Sequence, residues 1–171
     1  MIRTATLLLL LSNLCAFAQQ DLNWVRNQFL VADTKEKLER IVHAKVDCRS
    51  EEALTLAAYK AVCISKLALH TSLPWDKYQY FTQGRDKLES IIATQPSVEI
   101  RYLRLLTQIN APTIVMYDDN IDTDIQFILN KFESVDIPEN YKAQMIESLI
   151  FFANEHPELN AFRPFQSKIK A

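Results

Sequence analysis

Glu51-Glu52-Ala53-Leu54-Thr55-Leu56-Ala57-Ala58-Tyr59-Lys60-Ala61-Val62-Cys63-Ile64-Ser65-Lys66-Leu67-Ala68-Leu69-His70 decides the fold. Between Leu54 and Leu69 its only charges are Lys60 and Lys66, and it contains neither glycine nor proline. A helix of this composition is apolar almost all round, so it must pack on several sides and stand at the centre of a domain. Two lysines, and a length short of ~20 unbroken apolar residues, make it a core helix rather than a membrane span.

Outward from this stretch the chain reads as helix in both directions. Gly84 is the single glycine in 171 residues, and alternating apolar and polar runs are absent, which removes the usual signals for hairpins and strands. Side chains able to accept the free N–H groups of a first helical turn stand at Asp21, Asp33, Ser50, Ser72, Ser97, Asp119 or Asn120, and Asp136. Asp33 with Glu36 and Asp136 with Glu139 have capping-box spacing, and Pro138 suits a first helical position. Seven helices follow, over about 22–31, 34–45, 51–70, 74–93, 98–109, from the cap at Asp119 or Asn120, and from the cap at Asp136 to before Pro157. Apolar stripes mark their inner faces: Leu38, Ile41 and Val42; Phe81, Gly84, Leu88, Ile91 and Ile92; Ile100, Leu103, Leu106 and Ile109; Ile121, Ile125, Ile128 and Phe132; Met145, Ile146, Leu149 and Ile150. The expectation is an all-α, single-domain array of about seven antiparallel helices with a buried central helix, fraying from about residue 159.

Gly84, Leu88 four residues later, Ile91 three later, Pro96 closing the helix, and Tyr102 and Leu105 opening the next resemble a tetratricopeptide junction. That resemblance implies helical hairpins in which a small residue lets one helix approach the next closely. It makes Gly84 and Pro96 structural positions. A leucine at 84 should overpack, and an alanine should be neutral or stabilising if a methyl group fits. The wider stretch, with Tyr80-Phe81, residues 99–104 and the loop 111–124, is similar to a group of uncharacterised exported helical proteins of Gram-negative bacteria.

The start of the chain reads as an export signal: Arg3, the apolar run Ala5 to Leu11, then Ala16-Phe17-Ala18 as a small-residue cleavage site. Cleavage between Ala18 and Gln19 leaves residues 19–171 as a periplasmic or secreted protein without a membrane span. Cys15 lacks the neighbours of a lipoprotein cysteine, with Ser12 and Leu14 in the decisive places. Cys48 and Cys63 remain. Cys63 lies some ~18 Å up the central helix at ~1.5 Å per residue, whereas a disulfide needs Cα atoms within about 7 Å, so both should be free. The formal net charge is −2, and one unit more negative once Arg3 is lost, which gives no basic stripe for nucleic acid.

No motif for a nucleophile elbow, a phosphate loop or a cofactor is present. Asp118, Asp119, Asn120, Asp122 and Asp124 alternate like calcium ligands, but the turn glycine is missing and the twelfth position from Asp118 is Leu129. Acidic residues there are better read as serving a helix start. His43, His70 and His156 stand near three different helix ends without metal spacing. Arg101 and Arg104, three apart on one helix, are placed to clamp an anionic group of a partner, with Tyr102 and Tyr117 beside them, or to pair with Glu99 or the acidic turn after Tyr117. Trp75, Tyr78, Tyr80 and Phe81 suit either a recognition groove or a core. The functional expectation is a non-enzymatic scaffold that binds a protein partner in a groove between helices. The alternative is a small-ligand carrier or enzyme whose site is assembled from dispersed residues.

Overall fold

Seven α-helices make up the computed structural model, which describes residues 20–164. They are α1 (Leu22–Leu30), α2 (Lys35–Val42), α3 (Ala53–Lys66), α4 (Pro74–Thr94), α5 (Val98–Ile109), α6 (Ile121–Lys131) and α7 (Glu139–Glu155), and no strand occurs among the described residues. The export signal, with its Ala18 and Gln19 cleavage site, lies outside those residues.

Short polar side chains set several of the helix starts. The Asp21 carboxylate accepts from Trp24 N at 2.8 Å and Ser97 Oγ from Ile100 N at 3.2 Å, each satisfying a first-turn N–H group. Two expected capping boxes do not form. Asp33 is drawn to Lys37 Nζ at 2.6 Å, so Thr34 caps α2 instead and accepts from Lys37 N at 3.3 Å. At the start of α7, Pro138 restricts the backbone before it and itself has ψ 134°, so the helix begins only at Glu139 and Asp136 stays outside it. Before α4, Leu73 occupies the cap position expected for Ser72, and Pro74 takes the first helical position. Pro96 follows the α4 cap residue Gln95, and Ser97 opens α5.

The central stretch splits into α3 flanked by 3-10 turns at Ser50–Glu52 and Leu67–His70. As its composition requires, α3 packs against α1, α2, α4 and α5. Ser50–His70 taken together has the length and mean hydropathy, 1.2, of a membrane span. In this fold Ala58, Tyr59, Ala61, Val62 and Cys63 are buried against other helices. Buried apolar side chains from all seven helices join one cluster.

Gly84 faces α3. A Cβ there would overlap Ser65 Oγ and Ala61 O and come within 2.5 Å of Ser65 N, so even one methyl group does not fit. The condition set for a tolerated alanine is therefore not met. Residues 159–164, expected in a fraying tail, are partly packed. Ala161 and Phe162, in a 3-10 turn at Asn160–Phe162, are buried, because the Phe162 ring adds large apolar area to the core. Cys48 and Cys63 are both free, and burial pushes the Cys63 thiol up to about 12.

Candidate functional site

Two buried polar networks and one exposed apolar surface hold the side chains with chemical potential. In the first network, α5 presents Arg101 and Arg104 to Asp124 in the first turn of α6. Arg104 Nε and Nη2 donate to the two Asp124 oxygens at 2.7 and 2.8 Å, and Arg101 Nη1 adds a third bond at 2.8 Å. Asp124 is 0% exposed, so its carboxylate is a buried group paired with two guanidinium groups. Arg104 Nη1 also reaches Glu89 of α4 at 2.8 Å, and the Tyr117 hydroxyl donates to the other Glu89 oxygen. Burial opposes the Arg104 charge, but its bonds to Asp124 and Glu89 outweigh that and raise its pKa. The Tyr117 phenol is held neutral by burial and by the adjoining Glu89 carboxylate.

The second network crosses the core. Arg26 of α1 meets Glu99 of α5 in a bidentate pair, both bonds at 2.7 Å, and its third nitrogen donates to Asn23 at 2.7 Å. Tyr59 of α3 donates to the same Glu99 carboxylate at 2.6 Å. The phenols of Tyr59 and Tyr141 meet at 2.5 Å. A hydroxyl carries one proton, so with Tyr59's given to Glu99, Tyr141 of α7 donates in that pair. Burial opposes the Arg26 charge as well, yet Glu99 overrides it and its pKa is raised. Tyr59 is pushed far up, first by burial and then by Tyr141 and Glu99.

The residues expected to meet a partner are therefore engaged within the chain. Arg101 and Arg104 pair with the acidic stretch after Tyr117. Tyr102 is buried, its phenol pKa raised by burial against a hydrogen bond to Ser148, and Tyr117 lies edge-on against Phe81 with ring centroids 5.9 Å apart. Each of the four has its polar group bonded within the chain, and the Arg101 side chain remains 20% exposed. Among the described residues no group of three or more His, Cys, Asp or Glu stands together to hold a metal ion. An open depression runs along the outer face of α4, lined by Asp76, Gln79, Tyr80, Thr82, Gln83 and Asp86.

Exposed apolar side chains stand on the α3–α4 turn and on the first half of α4. Trp75 and Tyr78 are 66% and 55% exposed, with rings 6.0 Å apart, and Leu69 and Leu73 precede them on the turn between α3 and α4. Of the aromatic cluster, Phe81 is buried and Tyr80 packs, partly buried, against the core. Tyr78 lies one turn before Phe81, which rests on Tyr117. Next to Tyr117 stand Met116, 81% exposed, and Ile114, 87% exposed. Met116 has φ 43° and ψ 59°, left-handed backbone that no other non-glycine residue adopts among the described residues. Such a residue costs roughly 1–2 kcal/mol and persists because its surroundings hold it. The Met116 N–H donates to Thr113 O at 3.0 Å, and the next residue, Tyr117, is fixed to Glu89 and Phe81. Sequence reasoning missed Ile114 and Met116; their signal is two large apolar residues in a short, proline-led loop.

Comparison with protein-family models, with curated proteins and with solved structures returned no match.

Proposed function

We propose that this chain is a non-enzymatic, exported interaction module that docks a protein partner on the surface around the first half of α4. The observation that carries the reading is the clustering of exposed hydrophobics. Leu69, Leu73, Trp75, Tyr78, Ile114 and Met116 are six of the nine large hydrophobic residues exposed among the described residues. Large apolar side chains gathered on one region of a fold stay exposed where something covers them. The left-handed Met116 supports the same reading, since strain at a protruding tip is retained where presentation of that tip matters.

Export rests on the pattern from Arg3 to Ala18, and action in the periplasm or outside the cell follows from it. A tetratricopeptide-like antiparallel arrangement is proposed for α3, α4 and α5 only, where Gly84 and Pro96 carry the likeness. The bonds from α1 to α5 and from α3 to α7 join helices distant in the chain, unlike a repeat array in which each unit touches its neighbours.

Site-specific photo-cross-linking tests the docking surface. A cross-linking residue at Tyr78 should trap a protein under native conditions, while one at Lys87, exposed on another face of α4, should not. Equal yields at the two positions, or none at Tyr78, would refute the reading.

A further inference from the structure

We propose that residues 111–120, between α5 and α6, form a strap with two positions, latched against α4 by Tyr117 and free to swing away while the helices stay packed. This goes beyond the docking reading above, since the strap moves whether or not a partner is present.

The strap's anchorage is slight. Its backbone bonds are local, from Ala111 N to Gln108 O, Val115 N to Pro112 O, Met116 N to Thr113 O and Ile121 N to Asp118 O. Among the described residues, the Tyr117 hydroxyl makes the only hydrogen bond from this loop to an element other than the two helices it joins, and its acceptor is Glu89. No residue from 111 to 120 joins the hydrophobic core, and Tyr117 reaches α4 otherwise through its ring contact with Phe81. Segments with so few buried contacts open locally, at far less cost than the whole domain.

The latched position also carries costs. Met116 holds left-handed backbone, with φ 43°. At the strap's root, Gln108 is 2% exposed and neither polar atom of its side-chain amide has a hydrogen-bond partner in the chain, a state that contact with water relieves. Gln108 lies one turn beyond Arg104 on the same face of α5. Arg104 and Tyr117 bond the two oxygens of one carboxylate, Glu89, so the strap crosses the face that bears Gln108. Unlatching frees Met116 from its left-handed backbone and lets water reach that amide. Glu89 keeps Arg104 when Tyr117 leaves, so α4 and α5 remain joined. One hydrogen bond and one ring contact thus stand against two local costs, which is the balance of a two-position element. The exposed Ile114 and Met116 ride on the strap, so any molecule that holds them in one position alone shifts that balance.

Limited digestion of the full chain with chymotrypsin tests the strap. For a cut after Tyr117 the ring must leave Phe81 and enter the protease pocket, so the rate reports the open population. In the native chain that cut should run ahead of global unfolding and change little in sub-denaturing urea, because the swing exposes little surface. Tyr117→Phe keeps an aromatic cleavage site but removes the latch. Relative to the rates of the two unfolded chains, it should be cut about tenfold faster, the worth of a hydrogen bond to a charged acceptor. Gln108→Leu replaces the unpaired amide with an apolar side chain of similar size, and should be cut several-fold more slowly. Circular dichroism in urea measures the global stability of each variant and keeps loss of fold apart from strap opening. The proposal is overturned by a cut that rises in step with global unfolding, by Tyr117→Phe cut no faster than wild type, or by Gln108→Leu cut no more slowly.

Discussion

Replacing Gly84 with alanine adds a single methyl group at the tightest contact between α3 and α4. The new Cβ would overlap Ser65 Oγ and Ala61 O and stand 2.5 Å from Ser65 N. A hydroxyl can rotate aside, but the other two atoms belong to the α3 backbone, so relief requires the helices to separate. Overpacking of this kind costs about 1–3 kcal/mol, and the obstruction by backbone puts Gly84→Ala toward the upper end. Alanine recovers ~0.8–1.0 kcal/mol through its better helix propensity. The net expectation is a loss of about 1–2 kcal/mol, which at ~2–4 °C per kcal/mol for a chain of this size lowers Tm by roughly 2–8 °C. Gly84→Leu should lose more. Urea unfolding of both variants supplies the values. Adding Ser65→Ala to Gly84→Ala should restore little, since Ala61 O and Ser65 N remain. Wild-type stability in Gly84→Ala, or full rescue by Ser65→Ala, would refute the backbone contact as the reason for glycine.

The buried pair between α1 and α5 gives the next prediction: Glu99→Gln leaves Arg26 charged and buried without its counter-ion, and should cost about 3–5 kcal/mol in urea unfolding. The double replacement Arg26→Met with Glu99→Leu should recover much of that loss, and an additive double mutant would refute the coupling. For the cysteines, iodoacetamide with peptide mapping should label half-buried Cys48 in the folded protein and Cys63 only after unfolding. The Cys63 thiol titrates at 9.0 when unfolded and about 12 when folded. The unfolded state thus loses its proton first. The contribution to stability is fully present below pH 9.0 and is lost as pH rises from there toward 12. Replacing Cys63 with alanine should flatten that alkaline loss, and an unchanged slope would assign it to other groups.

Where periodicity alone decides, the sequence is a good guide. The 98–109 helix, with Ser97 as cap and an apolar residue every third position, is found at those bounds. Where two side chains compete for one role it is a poorer one. Asp33 and Thr34 can both cap α2, and the outcome turns on Lys37, which takes Asp33. The aromatic cluster illustrates a missed geometric signal. At 3.6 residues per turn, Trp75 lies ~120° around α4 from Phe81, off the stripe formed by Phe81, Gly84, Leu88 and Ile92. The polar networks were beyond reach for another reason. Arg101 with Asp124 could be anticipated as pairing with the acidic turn, but Arg26 with Glu99 spans 73 positions and Tyr59 with Tyr141 spans 82. No local pattern records such partners.

That span has a consequence for how the molecule is completed. Glu99 can be neutralised only when α1 has docked, and Tyr59 receives its proton donor only when α7 arrives. The polar centre therefore checks the alignment of four helices at once, and it stays wet and incomplete until the last of them is in place. Loop closure over such distances comes late in folding. A chain stopped before Tyr141 has lost one tooth of this lock, and a chain begun after Arg26 has a buried carboxylate facing no cation. Neither α1 nor α7 can be removed as a whole helix can from stacked repeats, because each completes the same polar centre.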